Sequence, residues 1–209
     1  PATIGAAGAV ASGLMLGSGY LLLSRGLERS TLPVLVGAAL GVAYTYWIQS
    51  YAGVAEGAGA RLSEGRLVLQ NGLHSAAEGV AIGVAMVLDL RLGAFLAVAL
   101  AVHNVAESMA LTDGLAERGI GPRQAAGLGV VSDVSMPVMA LAAFALSPVL
   151  EGLLSGALGF AAGCLVFLIL TELLPMSYGR ASSLWVGASV SVSAGALVLA
   201  EHYLVAGGG

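Results

Sequence analysis

Seven apolar runs, each roughly 20 residues long, constrain this chain more than any other feature. They fall at about 4–24, 32–52, 66–88, 93–112, 123–146, 150–175 and 183–205. Such a run crosses the hydrocarbon layer as a helix, because lipid offers no partner for an unpaired backbone N–H or C=O. The runs lack the alternating polar–apolar period of a barrel strand, which excludes a porin-like sheet. The expected fold is an all-α polytopic membrane protein with seven transmembrane helices, forming one domain over residues 1–209. Charge agrees: Asp, Glu, Lys and Arg make up 10% of the chain, against about 25% in soluble domains. The 31 glycines, spread through the apolar runs, predict helices that pack backbone to backbone.

Within these runs one short pattern appears twice. Leu73-His74-Ser75-Ala76-Ala77-Glu78-Gly79 and Val102-His103-Asn104-Val105-Ala106-Glu107-Ser108 each set a histidine four residues before a glutamate. On a helix both side chains share one face, one turn apart. The two helices are joined by a tight turn around Asp89-Leu90-Arg91, so they are antiparallel neighbours. At 1.5 Å per residue, Glu78 lies roughly 16 Å and His103 roughly 18 Å from that turn. His74 lies roughly 22 Å and Glu107 roughly 24 Å from it. Glu78 should therefore face His103, and His74 should face Glu107 one turn deeper, all four near the membrane midplane.

Imidazole and carboxylate together suit zinc and other first-row divalent ions, and a cation would neutralise two glutamates held away from water. Two other readings stay open: a pair of buried His–Glu ion pairs tying the helices together, and a proton relay. Asp133 and Glu172 are the remaining ionisable groups inside the runs, and charge there faces a bundle interior or a wet cavity. Glu172, beside Pro175, reads equally as a cap, an interfacial group or part of an ion path. Glu201 and His202 read as interfacial. Trp47 and its tyrosine neighbours read as packing or anchors, and Cys164 as a small buried hydrophobe.

All eight basic residues are arginine. Counting alternate loops, the N-terminal side receives Arg61, Arg66, Arg118, Arg123 and Arg180, and the other side Arg25, Arg29 and Arg91. By the positive-inside rule this puts the N-terminus in the cytoplasm and the C-terminus outside. A net charge of −4 offers no basic face to nucleic acid. No serine–histidine–acid order, phosphate loop or open catalytic-zinc pattern appears, so an enzyme is not expected. The chain opens Pro1-Ala2-Thr3 without an initiator methionine or a basic leader, so a segment ahead of Pro1 is expected to be absent from this sequence.

These residues resemble the ZIP (Zrt-, Irt-like) family of divalent-metal transporters, especially its GufA-like bacterial subgroup. His74-Ser75-Ala76-Ala77-Glu78-Gly79 is similar to the His-Asn-x-Pro-Glu-Gly of the family's fourth helix, and His103 to Ser108 to the related motif of the fifth. Gly8 to Leu16 resembles the second helix, Gly37 to Gln49 the third, and Cys164 to Pro175 the seventh. The seven spans then correspond to family helices two to eight, with nothing matching the first. The resemblance implies a carrier in the bacterial cytoplasmic membrane that moves zinc, with iron, manganese and cadmium as further candidates. The divalent ion, zinc foremost, would be its bound metal as well as its cargo. It also leaves room for a homodimer or a larger membrane complex.

The departures carry expectations of their own. Ser75 and Ala77 stand where the family has asparagine and proline, and Ala106 and Ser108 where it has proline and glycine. Without those prolines both helices should run straighter. Met136 stands before Pro137 where the family's sixth helix often has glutamate. The expected ligand set is thus His74, Glu78, His103 and Glu107, with a second position reduced to Asn104, Ser75 and the shared glutamates, where Asp133 partly replaces the missing carboxylate. The alternative is a ZIP-like accessory subunit that keeps the fold and a structural metal but has lost transport.

Overall fold

The computed structural model describes residues 2–53 and 64–205, and no strand occurs among them. Seven helical spans are long and apolar enough to cross a membrane, and the chain is an all-α polytopic membrane protein. The first four spans are single helices: α1 (Ala2–Leu27), α2 (Thr31–Gly53), α3 (Glu64–Leu88) and α4 (Leu90–Ala116). The fifth is broken at Val134 into α5 (Pro122–Asp133) and α6 (Ser135–Ala145). Pro137 has no N–H to give the Asp133 carbonyl four residues back, and the break falls between them. A short helix, α7 (Ser147–Leu150), precedes the sixth span, so that span begins at Leu154.

The sixth span changes pitch as it goes. α8 (Leu154–Leu168) passes into a π-helical turn, Ile169–Leu173, and then α9 (Leu174–Tyr178). In the turn the Leu174 N–H reaches back five residues to the Ile169 carbonyl. Pro175 follows at once, and the wider turn relieves the clash its ring would make with a carbonyl in a regular α-helix. The last span is α10 (Ser183–Leu204).

Glycine sets the closest approaches. A Cβ on Gly37 or Gly41 would strike the backbone of Gly156 or Phe160, and one on Gly159 or Gly163 would strike Val34 or Ala38. α2 and α8 therefore touch backbone to backbone, from both sides. α3 meets α6 similarly, with Gly79 against the Met136 carbonyl and Gly83 against that of Ala140. Such proximity gains dispersion contacts that bulkier residues would forbid, which matters where lipid supplies no hydrophobic drive for helix association.

One apolar cluster fills the bundle toward the α3–α4 turn. It joins Met15 and Leu22 of α1, Ile82 and Val84 of α3, Leu96 and Leu100 of α4, and Leu158 and Leu165 of α8. The turn itself is a single residue: the Asp89 carboxylate accepts from Arg91 N–H at 2.6 Å and Leu92 N–H at 3.0 Å, capping α4. Asp89→Ala should cost about 1 kcal/mol, as lost caps do, read as a lower melting temperature in detergent.

A partner appears at this end. Glu201, near the end of α10, is buried, and Arg25 Nη2 donates to its Oε1 at 2.8 Å. Arg25 belongs to the last turn of α1 rather than to a loop. The pairing explains the burial, since an unpaired carboxylate there would be expensive.

Candidate metal centre

α3 and α4 run without interruption past both His-x-x-x-Glu pairs, and the one-residue turn keeps them antiparallel and in register. His103 Nε2 lies 3.0 Å from Glu78 Oε1 and 3.5 Å from Glu107 Oε2. His74 Nε2 lies 3.6 Å from Glu78 Oε1, and its Nδ1 3.7 Å from Glu107 Oε1. Each histidine thus touches the glutamate of its own helix and that of its neighbour. Glu78 and His103 are fully buried, and Glu107 keeps 13% side-chain exposure.

The chemistry of this group is unusual for a protein interior. His74 Nε2, Glu78 Oε1, both nitrogens of His103 and Glu107 Oε2 are buried and make no aligned hydrogen bond. Buried polar atoms are nearly always hydrogen-bonded, so a group whose atoms meet only as close His–Glu contacts calls for an explanation. One ligand atom from each of His74, Glu78, His103 and Glu107 lies within 4.8 Å of the others. Around tetrahedral zinc, with ligands near 2.1 Å, neighbouring ligand atoms are about 3.4 Å apart. Side-chain adjustment of order 1 Å would close the four onto an ion.

Asn104 and Asp133 stand beside this group. With the Asn104 amide nitrogen facing its acceptors, it donates to Glu78 Oε2 and the Leu100 carbonyl, each at 3.0 Å. Asp133 accepts from three residues: Asn71 Nδ2 at 3.0 Å and Ser75 Oγ at 3.2 Å on Oδ1, and Ser108 Oγ at 3.3 Å on Oδ2. Ser75 and Ser108 are two of the positions that depart from the ZIP pattern. Both departures therefore converge on one carboxylate.

Glu172 is the residue that sequence reasoning left undecided. The π-helical turn carries it to His74, with Oε2 3.8 Å from Nδ1. Its other oxygen accepts from Gln49 Nε2 at 2.7 Å and Gln70 Nε2 at 3.3 Å. Two glutamines within apolar spans were the available signal, since a buried amide implies a polar partner. Polar side chains thus lie on the Glu64 side of the four-residue group: Gln49, Gln70, Asn71, Ser108, Asp133 and Glu172. The side toward the α3–α4 turn is filled by the apolar cluster.

No family model matches the chain. A protein of Arabidopsis thaliana named "Putative zinc transporter" is 29% identical over 207 residues, covering 92% of this chain. The chain spans about a third of that relative's length, 33%. Seven membrane-spanning helices mark an integral membrane protein, and its buried His/Glu group could accept a metal ion.

Proposed function

We propose that this chain carries divalent cations across the membrane, zinc foremost, through one ion position formed by His74, Glu78, His103 and Glu107. The observation that carries the reading is the convergence of four buried or nearly buried side chains whose ligand atoms lie within 4.8 Å of one another and make no aligned hydrogen bond. Two carboxylates and two neutral imidazoles would balance a divalent ion there. Asn104 would orient Glu78 from outside. Asp133, held by three donors, would add negative charge beside the ion in place of the carboxylate that Met136 lacks. The ion is cargo, and the protein is not an enzyme on this reading.

The distribution of polar groups supports a direction of access. An ion would reach the four-residue group from the Glu64 side, past Glu172 or Asp133, while the leucine-rich cluster seals the other side. By the arginine distribution the accessible side is cytoplasmic, with Pro1 inside and Gly209 outside, and the GufA-like resemblance favours a bacterial cytoplasmic membrane. Manganese, iron and cadmium remain competing cargoes, because imidazole–carboxylate sets accept several ions.

A second reading is favoured by the uninterrupted α3 and α4, which lack the motif prolines that would let them flex. There the same residues hold a structural ion and nothing is moved. Elemental analysis of the purified chain, with zinc uptake into liposomes, separates the two. Transport predicts one zinc per chain together with uptake that His74→Ala/Glu78→Ala abolishes. One zinc without uptake would favour the structural staple, and no bound metal would leave the group as ion pairs.

A further inference from the structure

Glu172 uses its two oxygens differently. Oε1 takes both amide donors, Gln49 from α2 and Gln70 from α3, while Oε2 faces His74. A carboxylate only accepts, so each glutamine must present its nitrogen. Gln49 Nε2 also donates to Thr171 Oγ1 at 2.8 Å, gripping two successive residues of the π-helical turn. The Glu172 side chain keeps 34% exposure. Without those amides it would be free to rotate toward water.

The same residues line a crevice leading to His74. Gln49, Gln70, His74, Tyr44, Leu168 and Glu172 line a partly open cavity of about 10 Å³, room for roughly one water molecule. A hydrated cation does not fit such a space, so an ion passing through must exchange its water for ligands on the wall. His74 is the only wall residue that also belongs to the four-residue group. Its Nδ1 is about equally far from Glu107 Oε1 and Glu172 Oε2, at 3.7 and 3.8 Å.

We infer that Gln49 and Gln70 are positioning residues for cation exchange: they aim Glu172 at His74 so that an ion entering or leaving the buried group is handed between them. This rests on the metal-site reading above and adds to it a kinetic role for two neutral residues that touch no ion. Because they act on the route rather than at the destination, their loss should slow loading and release together. Equilibrium affinity should barely change.

The test uses the full chain in detergent, with zinc as the probe and a fluorescent chelator as reporter. Gln49→Ala/Gln70→Ala should slow zinc loading and release each by about tenfold, the lower end of what outer-shell partners command. Stoichiometry should hold at one ion, and affinity should stay within about twofold, the scatter expected for uncoupled sites. In a Glu172→Ala background the same pair should produce no further slowing, because the amides act through that carboxylate. Unchanged rates in the parent background would overturn the inference, as would equal slowing with and without Glu172. A parent chain that binds no zinc is a different result: it removes the metal reading itself.

Discussion

Glu78→Gln is expected to lowers zinc affinity by more than about a hundredfold, beyond the range commanded by outer-shell partners. Glu78 Oε1 is within 3.0 Å of His103 and 3.6 Å of His74, so it is the oxygen nearest both imidazoles. Its Oε2 takes the Asn104 amide. The substitution keeps the shape, removes one of the group's negative charges and sets a donor or a weak acceptor where a ligand belongs. Calorimetric titration with zinc reads the loss directly. Thermal unfolding then separates the metal reading from simple ion pairing. If zinc binds, saturating the parent chain at 100 times its Kd adds about 2.7 kcal/mol of stability, and the variant gains almost none. If the residues are only ion-paired, zinc stabilises neither protein, and the variant is weaker by about 3–5 kcal/mol in chelator. Asp133→Ala provides the graded comparison. It should leave one ion bound and weaken it about tenfold, whereas unchanged affinity would remove Asp133 from the site.

Gly79→Val should have the second large effect, through packing rather than charge. A Cβ at residue 79 meets the Met136 carbonyl oxygen, and a main-chain atom cannot rotate aside as a side chain does. α3 and α6 must separate, at a cost of about 1–3 kcal/mol or more. The shift also draws Asp133, just before the break at Val134, away from Ser75. Melting temperature and zinc affinity should therefore fall together. Gly187→Ala is the matched control: nothing lies within 4 Å of a Cβ there, and helix propensity makes the change neutral or stabilising by up to about 1 kcal/mol. Equal destabilisation by both would mean that the α3–α6 contact is not special.

The apolar runs were enough to place all seven spans, because hydrocarbon thickness sets their length and a charge inside them is costly. The proximity of the four His and Glu residues followed from helical rise and a short turn, both local quantities. Glu172 did not follow, because its place depends on a π-helical turn that shifts the phase of the helix between Ile169 and Leu173. The partner of Glu201 did not follow for a related reason: Arg25 lies 176 residues away in sequence. The bonds of Ser75 and Ser108 to Asp133 cross three helices, and no spacing within one helix reveals them. Pro137 was visible, and the break at Val134 could have been inferred from it.

The glycine contacts between α2 and α8 have a bearing on exchange that neither helix shows alone. α2 carries Gln49, and α8 leads into the turn that carries Glu172, so donor and acceptor are mounted on a pair whose main chains mesh like teeth. A slip of one tooth would disturb every Gly-to-carbonyl contact along the pair at once. The height of Glu172 relative to Gln49 is thus governed from within the bundle, by positions bearing no charge and no side chain. A change from glycine to alanine at Gly41 or Gly163 would retune ion exchange while leaving every polar residue in place.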